Sequence, residues 1–177
     1  IDEAIKHKKF FSNPFKFKQG NFEKVWKESN HKLKGTFICN GQEQFYLESQ
    51  SAIAWPREHG EIMIHSSTQN TTEIQEVVAE ALGLSFNKVV CVCKRMGGAF
   101  GGKETQAVIP AVMVALVASK TNRPARIVYT KDDDMRSTGK RHPYKIHYKV
   151  AFSPKGKIKG VKFSIANSNG ILLGKNL

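Results

Sequence analysis

A chain of 177 residues with 40% hydrophobic side chains can bury the core of one soluble globular domain without help from disulfides or a structural metal. Its longest apolar run, Ala107 to Ala118, is too short to cross a bilayer, and its N-terminus lacks the layout of a signal peptide, so we expect a cytoplasmic protein with no membrane contact. The net charge of +13 suits a nucleic-acid binder, but the lysines are spread singly and without stacking aromatics. We therefore expect no nucleic-acid partner, and a basic surface that is either solvated or faces a partner subunit.

The first predicted segment is a connector. Residues 1–33 are rich in Lys and Phe, have weak periodicity and are broken by "SNPF" and "KQGNF", which is typical of a connector or the tail of a preceding domain. The segments "KLKGTFIC", "SAIAWP" and "GEIMIHSS" follow, and their strand-forming residues predict three strands.

A helix is predicted after these strands. Asn70 can cap its start with Glu73 three residues later, and Gly83 can end it. One apolar face has the spacing i, i+3, i+4, i+7, i+8, formed by Ile74, Val77, Val78, Ala81 and Leu82.

The next segment, "KVVCVCKR", is apolar enough to be a central strand of a sheet. It contains Cys91 and Cys93, which would point to the same face and form no CxxC pair. With three cysteines and scattered histidines in the whole chain, we expect buried thiols in a reducing compartment rather than a Cys/His metal site.

The second half of the chain continues the mixed pattern. Residues 107–118 are apolar on every side and predict a helix buried all round, with Val114 or Leu116 fully buried. "ARIVYT", "YKIHYKVAFS" and "GKIKGVKFSIA" predict further strands, the last two joined as a hairpin around "SPKG". The predicted fold class is α/β (α+β), a mixed sheet with packed helices.

A glycine-rich loop lies between the strand "KVVCVCKR" and the apolar helix. Gly97, Gly102 and Lys103 have the spacing of a phosphate-binding P-loop, but Glu104 stands where that loop has Ser or Thr and would repel a triphosphate. A nucleotide-hydrolysing site is therefore disfavoured. Two interpretations remain: a loop whose N–H groups approach an anionic or oxo-bearing ligand, and a loop that only packs tightly. Lys103 is expected to be a surface or helix-start charge.

Four short segments together carry a resemblance to a known family. They are "GQEQFYLE" (Gly41–Glu48), "SSTQN" (Ser66–Asn70), "RMGGAFGGKET" (Arg95–Thr105) and "KDDDMRSTGKRHP" (Lys131–Pro143). Their order and spacing resemble the molybdenum-binding part of the xanthine dehydrogenase and aldehyde oxidase family, and most closely xanthine dehydrogenase. The likeness runs from about residue 34 to about residue 166, so residues 34–177 are expected to be the N-terminal part of the molybdopterin-binding domain.

The resemblance implies roles for four residues. Gln69 matches the glutamine whose side-chain amide hydrogen-bonds an oxygen ligand of the molybdenum. Phe100 and Gly101 match the loop whose main chain approaches the molybdenum ligands. Glu104 matches the glutamate that contacts the substrate in xanthine dehydrogenases, which favours hypoxanthine- or xanthine-type purines over aldehydes. The pterin cofactor holds the metal in this family, so no side chain of the chain is expected to ligate it.

The resemblance also implies the reaction and the partners. Family members hydroxylate an electron-poor carbon with water as the oxygen source, and the electrons leave through 2Fe-2S clusters and FAD on other domains or subunits, usually within an oligomer. This chain has no cysteine pattern for the clusters, and the family's base glutamate, substrate arginine and substrate-stacking phenylalanines lie beyond the position reached at Leu177.

We therefore expect a fragment that is inactive in isolation and oxidises purines only within the complete enzyme. The likeness weakens at "NSNGILLGKNL", which leaves three explanations open: a deliberately excised segment, a truncated gene product, or one piece of a split subunit. A cofactor-free scaffold or interaction domain derived from the family, and a portion of an aldehyde oxidase, are the alternatives. The neighbouring coding sequence would distinguish the enzyme from the scaffold, and the sequence leaves the electron acceptor open.

Overall fold

A computed structural model describes residues 1–168, so most of the segment "NSNGILLGKNL" lies outside the described residues. The chain divides into two compact units. Unit 1 joins residues 1–42 with the chain from Arg141 onward, and unit 2 comprises Glu43–Lys140. The division expected between residues 33 and 34 stays a prediction.

Five helices and seven strands are described between residues 1 and 168. The helices are α1 (Asp2–Lys6), α2 (Phe22–Glu28), α3 (Thr71–Leu82), α4 (Val108–Thr121) and α5 (Lys131–Ser137). The strands are β1 (His31–Cys39), β2 (Ser51–Pro56), β3 (Ile62–Ser66), β4 (Val89–Val92), β5 (Ala125–Val128), β6 (Tyr144–Phe152) and β7 (Ile158–Asn167). Each segment predicted to be a strand contains one, whereas α1, α2 and α5 are too short for a clear periodic pattern.

Unit 1 contains an antiparallel sheet in the order β1-β6-β7. The predicted hairpin between β6 and β7 is confirmed. Its turn is closed by the Ser153 N–H, which donates to the Lys157 carbonyl at 2.9 Å, and by the Gly156 N–H, which donates to the Ser153 carbonyl at 2.9 Å. The helix α2 packs on β6 and β7.

Unit 2 contains a four-stranded sheet in the order β4-β3-β2-β5. The pair β3 and β4 is parallel and the other two pairs are antiparallel, which confirms the predicted mixed sheet with packed helices. The helices α3 and α4 contact each other and the sheet. The buried core is formed by Ala52, Ala54, Ile62, Ile64, Ile74, Val78, Ala79, Val89, Ala107, Ala111, Val114, Ala115 and Ala118.

The prediction of a central position for β4 is wrong for the described part of the chain. It lies at the edge of the sheet, beside β3. An apolar strand needs cover for its side chains, but it does not need a hydrogen-bonded strand on both sides. Val89 is fully buried, and the other three residues of the strand are half-buried. Burial also raises the pKa of Cys91 to about 12, so this thiol is unreactive near neutral pH.

The helix α3 begins and ends as predicted. The Asn70 side chain accepts a hydrogen bond from the Glu73 N–H at 3.1 Å, and Gly83 ends the helix with a φ of 66°. The predicted buried face is correct at Ile74 and Val78 but wrong at Ala81, which is exposed.

The apolar composition of α4 predicted a helix buried on every side, and this prediction is wrong. Val114 is buried, but Leu116 is 43% exposed. The sheet and α3 of unit 2 cover one side of the helix, and the opposite side exposes Ile109, Met113, Leu116 and Val117.

Candidate functional site

The loop from Gly97 to Lys103 follows β4 and precedes α4. Its backbone turns sharply, since Phe100 and Gly101 both have positive φ angles, 52° and 89°, and the Gly102 N–H donates to the Ala99 carbonyl at 2.7 Å. A Cβ atom at Gly102 would lie 2.6 Å from the Tyr46 ring, so only glycine fits there without movement of its neighbours. The glycines therefore let the loop pack directly on the segment around Tyr46.

Lys103 is not the surface charge that we expected, because its side chain is fully buried. Its ammonium nitrogen donates to Ser67 Oγ at 2.8 Å and lies 3.3 Å from Glu48 Oε2 and 4.7 Å from the Tyr46 ring. Burial lowers the pKa of Lys103, while the charge of Glu48 opposes that effect. The lysine therefore ties the end of the loop to the interior of unit 2 and is not available to reach a phosphate, as a P-loop lysine would be.

Glu48 joins both ends of the loop. Its Oε2 atom accepts hydrogen bonds from the Gly97 N–H at 2.6 Å and from Ser67 Oγ at 3.0 Å, in addition to the contact with Lys103. Partial burial acts to raise the pKa of Glu48, but the Gly97 N–H, the Ser67 hydroxyl and the Lys103 charge together outweigh it, so the pKa lies below its usual value.

A second set of buried polar groups holds the loop from the side of α5. The Tyr46 hydroxyl donates to Asp134 Oδ1 at 2.5 Å, and the Gln50 N–H donates to Asp134 Oδ2 at 2.6 Å. The Gln50 side-chain amide donates to the Gly102 carbonyl at 2.9 Å. Burial, and then the hydrogen bond to Asp134, raise the pKa of Tyr46, so the phenol stays protonated.

Gln69 lies at the end of the β3–α3 connection and contacts the loop. Its Oε1 atom accepts hydrogen bonds from the Gly101 N–H at 3.0 Å and the Lys103 N–H at 3.3 Å, and its own N–H donates to the Lys103 carbonyl at 2.9 Å. Only the amide oxygen can accept from two N–H groups, so the orientation of the amide is fixed. Its Nε2 group finds no acceptor within residues 1–168, and the residue is exposed.

Two further predicted site residues lie on the same loop. Phe100 is 75% exposed, and its N–H finds no acceptor in the described part of the chain, whereas the Gly101 N–H is already used by Gln69. Glu104 is exposed, and its carboxylate makes no hydrogen bond or ion pair with the described residues. The structure thus brings all four predicted site residues together at or beside this loop. The groups that remain available are the Gln69 NH2 group, the Phe100 N–H and the Glu104 carboxylate.

The supporting residues Glu48, Tyr46 and Asp134 were not singled out individually from the sequence. They lie within two of the four motifs, "GQEQFYLE" and "KDDDMRSTGKRHP", that carry the family resemblance. That shared resemblance was the available signal, because two motifs of one family that lie far apart in the chain are candidates for contact in the fold, as Tyr46 and Asp134 are across 88 residues.

Among residues 1–168, no three His, Cys, Asp or Glu side chains come together as a metal-binding group. No helix in that range is long and apolar enough to cross a bilayer.

Residues 3–176 match the family described as "Molybdopterin cofactor-binding domain". The chain is 42% identical over 171 residues to xanthine dehydrogenase from Calliphora vicina and 43% identical over 171 residues to xanthine dehydrogenase/oxidase from Gallus gallus. Each alignment covers 96% of this chain and 13% of the relative, so the chain spans a small part of the proteins it matches.

A solved structure shares the fold. Aldehyde oxidoreductase from Desulfovibrio gigas superimposes with a TM-score of 0.74 and 24% identity, over 84% of this chain and 16% of that one. The resemblance drawn from the four motifs is confirmed. The chain belongs to the molybdopterin cofactor-binding domain family of the xanthine dehydrogenase type.

Proposed function

We propose that the chain is part of a molybdenum hydroxylase like xanthine dehydrogenase, which oxidises hypoxanthine- or xanthine-type purines with water as the source of oxygen. The observation that carries the proposal is the fixed amide of Gln69. Two loop N–H groups hold its oxygen, at 3.0 and 3.3 Å, which leaves its NH2 group without an acceptor among the described residues, and both Gln69 and Phe100 are exposed.

The available groups fit the oxygen-bearing face of a molybdopterin cofactor. The Gln69 amide NH2 and the Phe100 N–H are neutral donors, and oxygen ligands of a metal are acceptors. Neutral donors stabilise negative charge without adding a competing base. When bound, the cofactor supplies the redox-active metal that takes up the electrons of the substrate.

The chain's own residues hold these donors in place. Glu48 and Gln50 hold the loop at three points. Glu48 contacts the Lys103 side chain and accepts a hydrogen bond from the Gly97 N–H, and the Gln50 side-chain amide donates to the Gly102 carbonyl. A loop held at several points keeps its donors oriented before a ligand binds, which lowers the cost of ordering them.

Glu104 is proposed to bind the substrate. It follows Lys103 directly in the chain, and the N–H and the carbonyl of Lys103 are both hydrogen-bonded to Gln69, so the backbone at Glu104 begins at the residue that Gln69 contacts. A carboxylate can accept hydrogen bonds from the N–H groups at the edge of a purine, whereas an aldehyde offers none.

The remaining machinery is proposed to lie outside this chain. The base glutamate, the substrate arginine and the iron–sulfur and FAD groups would come from the rest of the complete protein or from partner subunits. This agrees with a chain that covers 13% of its relatives.

The test uses the complete protein that contains this chain. Glu104→Val should lower kcat/KM for a purine by roughly ten- to hundredfold, the cost of one buried hydrogen-bonding group left unpaired, and should leave kcat/KM for an aldehyde nearly unchanged. Gln69→Ala acts on the cofactor and should lower both. Glu80→Val, at an exposed glutamate of α3, is the matched control and should change neither.

The quantity to compare is the kcat/KM for the purine divided by that for the aldehyde, measured in each variant and in the parent. An equal loss on both substrates in Glu104→Val would mean that this residue supports the loop rather than the substrate. A parent protein that prefers aldehydes would favour the aldehyde oxidase alternative.

A further inference from the structure

The net positive charge of the chain comes from unit 1 alone. Unit 1 has 17 Lys and Arg residues and 4 Asp and Glu residues, whereas unit 2 has 11 of each. The whole net charge of +13 therefore belongs to unit 1. The candidate site described above lies in unit 2 and does not account for this charge.

Three lysines form a row across the sheet of unit 1. In the strand register Lys34 of β1 lies directly opposite Lys149 of β6, and Lys149 lies directly opposite Lys162 of β7. Side chains opposite each other on adjacent strands share one face of the sheet, with Cβ atoms about 4.5–5.5 Å apart, and like charges in that position destabilise the sheet. We call these three residues the lysine row.

The lysine row has too little negative charge to balance it. Lys162 pairs with Glu23 at 2.7 Å, but both side chains are more than half exposed. The Lys149 ammonium lies 5.6 Å from the centre of the Trp26 ring, and Lys34 has no hydrogen bond or ion pair with the described residues. Among residues 1–168, the Glu23 carboxylate is the one acidic group that pairs with a member of the row, and it pairs with Lys162 alone.

The carboxylate beside the row responds to this charge. The hydrogen bond from Lys162, followed by the charge of Lys162 and that of Lys149, lowers the pKa of Glu23. Asp2, the other acidic residue in the described part of the chain that pairs on this sheet, is bound to Lys145 outside the row and also senses the charge of His147.

A cavity of about 410 Å³ opens over the row. Besides the three lysines it is lined by Thr36, His147 and Ser164, and Thr36 Oγ1 lies 2.7 Å from His147 Nδ1. Hydroxyl and imidazole groups can donate hydrogen bonds to phosphoryl oxygens, and lysine binds phosphate as a point charge.

We propose that the lysine row is a binding site for an oligophosphate. Three ammonium groups on three adjacent strands extend over about 10 Å, twice the strand spacing. A ligand with several linked phosphoryl groups can contact all three, whereas a single oxyanion contacts one or two. This inference is independent of the function proposed for unit 2.

The proposal is tested on the full chain by calorimetric titration with inorganic tripolyphosphate at constant ionic strength. Lys34→Gln with Lys149→Gln removes two charges from the row, and each should weaken binding about fivefold, the effect of one charge at contact distance in water. The control is Lys155→Gln with Lys157→Gln, which removes the same charge at the exposed β6–β7 turn and should change Kd less than about twofold.

Thermal unfolding separates binding from damage to the fold. Relief of the like-charge contacts should leave the Tm of the row variant equal to or above that of the parent, and tripolyphosphate should raise the Tm of the parent and control but not of the row variant. An equal loss of binding in both double variants would overturn the proposal, because binding would then depend on the total charge of unit 1 and not on the lysine row.

Two further ligands identify the source of the phosphate. A nucleoside triphosphate that binds as tightly as tripolyphosphate supports a site that reads phosphoryl groups alone, and one that binds more tightly supports a nucleotide as the ligand. Tighter binding to duplex DNA than to either, lost equally in both variants, would overturn the proposal in favour of a nucleic-acid surface.

Discussion

The ammonium group of Lys103 is stabilised inside unit 2 by one carboxylate, one hydroxyl and one aromatic ring. A buried charge is stable only where such partners offset its lost hydration. Removal of one partner leaves the remaining charge desolvated and uncompensated. The two members of the pair differ, since Lys103 is fully buried whereas the Glu48 side chain is 39% exposed and keeps two other donors.

This difference predicts unequal effects of mutation. Glu48→Gln leaves the buried ammonium without its counter-charge and should cost about 3 kcal/mol of unfolding free energy. Lys103→Met removes one charge-assisted hydrogen bond from a carboxylate that retains two donors and should cost about 1.5 kcal/mol. Urea denaturation of the chain measures both.

The control for this pair is Glu61→Gln. Glu61 and Lys88 form a partly exposed ion pair at 3.9 Å, whose loss should cost at most about 0.5 kcal/mol. If Lys103→Met cost more than Glu48→Gln, the lysine would be held mainly by packing.

The lowered pKa of Glu48 predicts a pH dependence of stability. The native state binds the proton of this carboxyl less readily than the unfolded state, whose pKa is near 4.5, so the stabilisation is complete above that pH. It is lost as the pH falls through the lower native pKa. Urea midpoints between pH 6 and pH 3 should fall more steeply for the parent than for Glu48→Gln, and parallel curves would contradict the assignment.

At the scale of elements, α4 packs on the sheet along one side only. Val114 is 3% exposed within the core, and Leu116, two residues later, is 43% exposed. Residues two apart on a helix point about 200° apart, so one side chain meets the core and the other does not.

Substitution in α4 should follow this division. Val114→Ala removes buried methyl groups and should cost about 1.5 to 3 kcal/mol, whereas Leu116→Ala should cost less than about 1 kcal/mol. Chemical denaturation of the chain tests the contrast. Equal costs would show that the exposed side of α4 is also packed, for example by self-association.

At the scale of the whole molecule, the candidate site is open. Gln69, Phe100 and Glu104 are all exposed, so the described residues offer one surface to a cofactor and do not enclose it. A ligand of that size is normally held with most of its surface buried. The rest of the complete protein would supply the opposite surface.

The isolated chain should therefore retain little molybdopterin. Chain purified from cells that make the cofactor should contain molybdenum far below one atom per chain and should not oxidise xanthine. The complete protein, purified in parallel, is the control. Near-stoichiometric molybdenum in the isolated chain would contradict this prediction and show that the exposed face binds the cofactor unaided.

Local patterns were sufficient for much of the fold. The cap at Asn70, the stop at Gly83 and the β6–β7 hairpin are decided by residues near one another in the chain, and each appeared in the structure as expected. The edge position of β4 and the exposed side of α4 could not be predicted, because composition records how apolar a segment is but not which neighbours cover it.

The family and the four positions proposed for the site could be inferred from the sequence, because the four motifs are recognisable from residue identity and spacing without coordinates. The residues that support those positions became visible only in the folded chain. Lys103 reads as a surface charge in a glycine-rich loop, and it is buried because Glu48 and Ser67, 55 and 36 residues away in the chain, meet its ammonium group. The lysine row likewise depends on strand register, which places Lys34 opposite a residue more than 100 positions later. Burial and charge balance are properties of neighbours in space, and folding alone assigns those neighbours.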